Sequence, residues 1–212
     1  GPMVGFERLD DDIRSAIDAF VDLLPSVKAV VLWGLCDGAS AALMYAFRDT
    51  RVSGLILLNP WVRDSQVQAI TQIKHYYRSR LFSREIWLKL LRGEFRWGRF
   101  IQEFWSAASI AWGSRSKAEC ALPVGFQGRM LQAWQRYRGR TLILLSGNDL
   151  TAREFEEYAN LDPAWMHQIA LPTVRVVHMP DADHTFSSRD LRRQVETTTV
   201  QWIQEELLNR PT

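Results

Sequence analysis

The stretch VVLWGLCDGASAAL, Val30 to Leu43, passes from an apolar, β-branched run through a glycine-flanked cysteine into small helix-forming residues. Residues 28–34 read as a strand covered on both faces, because the run is too short for a helix and lacks the alternation of a half-exposed strand. A helix follows from Ala39 to about Arg48. Between them, Gly34-Leu35-Cys36-Asp37-Gly38 has the spacing of a nucleophile elbow with cysteine at its centre. A side chain held in a strained strand-to-helix turn presses the residues two before and two after it together, and glycine at both positions relieves the clash. The positive end of the following helix faces Cys36, which favours thiolate over thiol. A buried cysteine is more often inert core; the strand before and the helix after select the elbow.

Further along the chain, strand and helix patterns alternate. Apolar positions Leu9, Ile13, Ala16, Ile17, Phe20, Val21 and Leu24 recur at helical spacing, with Asp10, Asp11 and Asp12 at the positive end and Pro25 as the stop. RVSGLILLNPWV and RTLILLSGND read as buried strands, TAREFEEYANL as a helix, and TVRVVHMPDADHTF as a strand and loop. Ser188–Leu208 reads as a long closing helix. This order implies βαβ units and an α/β fold with a mostly parallel sheet. Residues 65–137 show helical periodicity instead, broken by glycines and by LPVG at 122–125, and are expected to form a helical cap insertion. The expected core is therefore 3–64 with 138–212.

At 212 residues and 47% hydrophobic content, the chain can bury the core of one such domain. Gly1-Pro2 ahead of Met3 reads as the scar of a cleaved tag. No leader and no apolar run of roughly 20 residues is seen, so a cytoplasmic protein without a transmembrane segment is expected. Two cysteines, Cys36 and Cys120, give neither a disulfide framework nor metal-ligand spacing. The net charge of +2 conceals an asymmetry: residues 63–140 hold 15 Lys and Arg against 5 Asp and Glu, and the remainder 11 against 19. A basic middle in an acidic frame suits an inserted subdomain with an anionic partner, although a solvated helical face gives the same count. Nucleic-acid binding has no motif to support it.

The remaining chemistry is ordered along the chain as nucleophile, acid, histidine. Asp149 lies just past a predicted strand, and His184 in the loop before the closing helix. In a triad, His184 takes the Cys36 proton and Asp149 fixes the imidazole tautomer. Asp181 and Asp183 are reserve candidates for the acid. The His75-Tyr76-Tyr77 cluster reads as packing and surface, and Cys120 as having no chemical role. Trp61, Trp87, Trp97, Trp105, Trp112 and Trp134 either anchor cap helices or line an acyl pocket.

GLCDGASAAL, IKHYYRSRLFSREIWLKLLRGEF, LILLSGNDLTAREFEEY and DADHTFS together resemble the exosortase A system-associated hydrolases of the first type, from about Gly5 to the C-terminus. These are α/β-hydrolase-like proteins of bacterial exopolysaccharide and exosortase gene neighbourhoods. The resemblance implies Cys36, Asp149 and His184 as the triad and brings no defined substrate. The expected reaction is hydrolysis or transfer of an acyl group from an ester or thioester through a Cys36 acyl-enzyme, without metal or organic cofactor. The substrate is expected to be a small-molecule or carrier-linked acyl group, anionic in character, with peripheral membrane contact as another use of the basic segment. Dienelactone hydrolases also place cysteine in this elbow, but the long basic cap fits them poorly.

In one respect the pattern departs from the family. A helix over 6–24 leading straight to the elbow strand matches only the later part of the hydrolase fold, so the N-terminal strands are expected to be absent. With them goes the loop bearing one of two oxyanion donors, leaving the Asp37 backbone N–H. Two expectations follow: a non-catalytic binding module as the alternative function, and a homodimer formed through the uncovered edge of strand 28–34.

Overall fold

The four apolar runs form four parallel strands: β1 (Val30–Leu35), β2 (Val52–Leu58), β3 (Arg140–Ser146) and β4 (Val174–Met179), hydrogen-bonded in that order. They belong to a computed structural model that describes residues 6–62 and 125–209. The chain divides into a unit of Gly1–Arg63 with Val124–Thr212 and a second unit, Asp64–Pro123, which lies outside the described residues. Most of the expected cap, with Cys120, His75 and four of the six tryptophans, thus falls outside the described part. Around the sheet are α1 (Phe6–Leu23), α2 (Asp37–Ala46), α3 (Phe126–Arg136), α4 (Leu150–Leu161), α5 (Pro163–Ile169) and α6 (Arg189–Ile203), the last continuing as a π-helical turn over Gln204–Leu208.

The apolar runs are unbroken because both faces of the central strands are covered. Leu55, Leu57, Ile143 and Leu145 pack toward α2, α3, α4 and α5, while Ile56, Leu58, Leu142 and Leu144 pack with Val195 and Trp202 of α6. Trp165 of α5 is fully buried and meets Trp134, Phe155 and Tyr158 edge-on at 5.5–5.9 Å. Burying a large side chain of this kind contributes about 1.5–3 kcal/mol before entropy is counted. Helix α5 has no strong apolar period to announce it. Its start is a local device, with Asp162 accepting from the Ala164 N–H at 2.8 Å and Pro163 in the first turn.

Helix α3 begins inside the stretch read as insertion, yet its Met130, Leu131 and Trp134 belong to the same core cluster as α2. Helix α1 adds Ile17 to that core and is tied down electrostatically: Arg48 meets Asp10 at 3.3 Å, and Arg51 meets Asp18 and Asp49, each at 2.6 Å. The Arg51 hydrogen bonds hold the Asp49 carboxyl down at about 2. Among the described residues β1 pairs only with β2, and its Trp33 is 53% exposed.

Candidate active site

The strand 28–34 of the sequence reading is shifted to 30–35, and the helix after it begins at Asp37 rather than Ala39. Cys36 is therefore the single residue between strand and helix. It takes φ 57° and ψ −120°, a left-handed backbone that costs about 1–3 kcal/mol for a residue with a Cβ. The turn is held from both sides: the Cys36 N–H donates to Leu58 O at 2.9 Å, while its carbonyl accepts from the Ser40 N–H at 3.2 Å and the Trp61 N–H at 3.3 Å. Ser40, fully buried, also donates to Trp61 O at 2.7 Å and so pins residue 61 against the elbow. The Trp61 ring lies 5.8 Å from that of Phe126, and Cys36 itself is half-buried.

The steric reading of the two glycines is half corrected. A Cβ on Gly34 would lie 2.7 Å from Gly38 C, Gly38 O and Ala39 N, all backbone atoms that cannot move aside. A Cβ on Gly38 would meet nothing within 4 Å, because that position points to open space. The constraint is therefore one-sided: the turn presses Gly38's backbone onto Gly34.

Asp149 stands at the N-cap of α4, one turn past β3, where its Oδ2 accepts from the Ala152 N–H at 3.0 Å. The same oxygen lies 3.0 Å from Nδ1 of His184, in the loop between β4 and α6. Asp149 is 8% exposed and His184 39%, so the carboxylate is buried and the imidazole partly open to solvent. The structure thus brings Asp149 and His184 together at the carboxyl ends of the strands, the edge that also carries Cys36. Among the described residues no hydrogen bond joins Cys36 to His184; such contacts are often long in unliganded sites. Asp183 is engaged elsewhere: its carboxylate accepts from the Ser187 N–H at 2.8 Å and from the Ser187 hydroxyl, and those bonds hold it below the usual carboxylate range. Asp181 is exposed.

The expectation of a stabilised thiolate is corrected. Burial pushes the Cys36 thiol up, and the charges of Asp37 and Asp149 push the same way, outweighing the Asp37 backbone N–H that favours thiolate. Asp37 is exposed, and its Oδ1 accepts from the Gly38 N–H at 2.9 Å. No three His, Cys, Asp or Glu side chains gather as a metal would require among the described residues, and no helix among them is long and apolar enough to cross a membrane.

Two buried polar residues escaped the sequence reading. Asn59 and Ser146 end β2 and β3 and are fully or almost fully buried. Asn59 has φ 44°, and with Cys36 and Phe186 it completes the non-glycine residues of positive φ among the described ones. All three lie within two residues of a strand end or of His184. The signal was present: polar residues closing apolar runs in LILLNP and LILLSG.

A family model described as Alpha/beta hydrolase family matches residues 2–196. Among solved structures the chain is similar to an esterase of Pyrococcus furiosus (TM-score 0.53, 13% identity, 92% of this chain and 61% of that one). It is also similar to a highly thermostable carboxyl esterase of Bacillus coagulans in complex with glycerol (TM-score 0.57, 15% identity, 97% and 73%). A third likeness is to the esterase domain of a Rhodothermus marinus protein (TM-score 0.53, 16% identity, 96% and 70%). At these identities the likeness is one of fold. The chain spans about three fifths of the length of the Pyrococcus furiosus esterase. A comparison with curated proteins finds no match.

Proposed function

The chain belongs to the alpha/beta hydrolase family, and from that premise we propose that it cleaves or transfers acyl groups of esters or thioesters through a covalent intermediate on Cys36. The observation that carries this reading is the 3.0 Å contact of Asp149 Oδ2 with His184 Nδ1, on the strand edge where a cysteine occupies a left-handed elbow. With Nδ1–H directed at Asp149, the free nitrogen Nε2 is the base.

In the proposed cycle the His184 Nε2 takes the Cys36 proton as Sγ adds to the substrate carbonyl carbon. The oxyanion forms beside the Asp37 N–H. The tetrahedral adduct collapses, the C–O or C–S bond to the leaving group breaks, and His184 returns its proton to that group. Water then gives a proton to His184, its oxygen adds to the thioester, and the acid departs as Sγ regains the proton. An acceptor alcohol or thiol in place of water gives transfer. Burial and the neighbouring carboxylates favour the thiol over the thiolate, which gives the base its task.

The substrate is proposed to be anionic and carrier-linked or small, matching the basic residues 63–140, in line with the resemblance to exosortase A system-associated hydrolases. We further propose a cytoplasmic homodimer paired along β1. The alternative reading is a binding module without turnover, in which the Asp37 N–H has no second oxyanion donor beside it; loss of one donor typically costs about 10²–10³ in rate. A panel of p-nitrophenyl esters and acyl-thioesters separates the two. Wild type should turn over at least one class. Cys36→Ala should abolish it, and Asp149→Asn should lower kcat by about 10²–10⁴. Absence of turnover in wild type, or full turnover in Cys36→Ala, would contradict the proposal.

A further inference from the structure

The loop that carries His184 must be held in register with Asp149, yet the imidazole is 39% exposed and lies in irregular backbone. One of its attachments is a buried amide that reaches the His184 backbone itself. Asn59 Nδ2 donates to Ser146 Oγ at 2.9 Å and to His184 O at 3.0 Å, and Asn59 Oδ1 accepts from the Ser146 N–H at 2.8 Å. Ser146 Oγ, having accepted from Asn59, donates its own proton to Asp183 O at 2.9 Å. The chain of donors and acceptors fixes which way the amide faces, since the flipped form would set Oδ1 against the His184 carbonyl.

Asn59 is 0% exposed, so loss of its side chain takes the direct partners from the Ser146 N–H and the His184 carbonyl inside the protein. Its φ of 44° is open to glycine as readily as to asparagine. A glycine would satisfy the backbone, so the amide itself has a separate task. Its position is the meeting point of the site's three arms. Asn59 follows Leu58, whose carbonyl binds the Cys36 N–H. Ser146 ends β3, three residues before Asp149. The next two residues continue the attachment, with the Gly147 N–H donating to Met179 O and the Asn148 N–H to Ala182 O, each at 2.9 Å.

We propose that Asn59 is a positioning residue for His184, clamping the histidine loop to the ends of β2 and β3 through the His184 carbonyl and, by way of Ser146, the Asp183 carbonyl. The effect on turnover rests on the reading of Cys36, Asp149 and His184 given above; the effect on His184 geometry does not. Asn59→Gly keeps the backbone and removes only the clamp. Asn59→Asp keeps the acceptor and the left-handed backbone but cannot donate to His184 O. Ser146→Ala cuts the branch to Asp183.

The test combines two readouts on the full chain. One is the downfield ring N–H proton of His184 in the NMR spectrum, identified by its loss in His184→Gln. The other is the split of kcat from KM on the best ester of the panel. For Asn59→Gly, with circular dichroism unchanged, the ring N–H signal should broaden into exchange with water and kcat should fall about tenfold or more at nearly constant KM. Asn59→Asp should not restore either, Ser146→Ala should show a smaller loss, and Ser146→Thr should recover most of it. A folded Asn59→Gly that keeps both the resonance and kcat overturns the proposal; should that variant not fold, the same retention in Ser146→Ala overturns it. Full turnover in Cys36→Ala would instead remove the catalytic reading, and the His184 resonance would still decide the clamp.

Discussion

Cys36 answers to two opposed influences. The start of α2 and the Asp37 N–H favour thiolate, whereas burial and the carboxylates of Asp37 and Asp149 favour thiol, and the second set prevails. A thiol whose charged form is disfavoured keeps its proton to higher pH, so its thiolate is lost as pH falls below a value above the ordinary 9.0. Iodoacetamide labelling of Cys36 without substrate should therefore rise with a midpoint above that value, and Asp37→Asn should move the midpoint down. A midpoint well below 9.0 would show the helix effect to be dominant. The motif was legible because a nucleophile elbow constrains residue types at fixed spacing, and because Asp149 and His184 follow strands in the family's order. The thiol's pKa was not, since desolvation depends on residues distant in sequence. Asn59 and Ser146 were passed over for a similar reason: a polar residue at a strand end reads as a turn until its partners are known, which lie 87 and 125 residues from Asn59 and 87 and 37 from Ser146.

At the scale of elements, the elbow depends on one close approach. Gly34→Ala would drive a Cβ to 2.7 Å of the Gly38 and Ala39 backbone, with no flexible side chain to yield. Overpacking of this kind costs about 1–3 kcal/mol, so Gly34→Ala should unfold at lower denaturant than wild type. Gly38→Ala should change stability by no more than about 0.5 kcal/mol. Chemical denaturation of the pair checks both, and equal losses would contradict the one-sided geometry. Strands β2 and β3 were readable because coverage leaves long apolar runs, β4 by its β-branched residues between exposed Arg175 and His178, and α1, α2, α4 and α6 because each has an apolar stripe or a small-residue face. Helix α5 was not. Its 7 residues are placed by a cap and by the burial of Trp165 between α3 and α4, which are tertiary facts.

For the molecule as a whole, β1 has one strand neighbour among the described residues, and Trp33 on it is 53% exposed, as Phe20, Leu23 and Leu24 are at 50%, 79% and 47% at the end of α1 and just beyond it. An apolar edge without charges to blunt it pairs readily with another copy. Light scattering at dilute concentration should give a dimer, and Trp33→Lys should shift it toward monomer; a wild-type monomer would refute the pairing. The overall α/β order was legible from strands alternating with helices, while the role of the basic residues 63–140 rests on charge alone. The central claim is that Cys36 carries the acyl group. Intact-mass spectrometry of the protein quenched in acid after mixing with p-nitrophenyl acetate, followed by peptide mapping, tests it directly. The account predicts one added acetyl group on the peptide containing Cys36, accumulating in Asp149→Asn if deacylation slows and absent in Cys36→Ala. Acetylation at Cys120 or at another side chain, with the Cys36 peptide unmodified while ester is consumed, would contradict it.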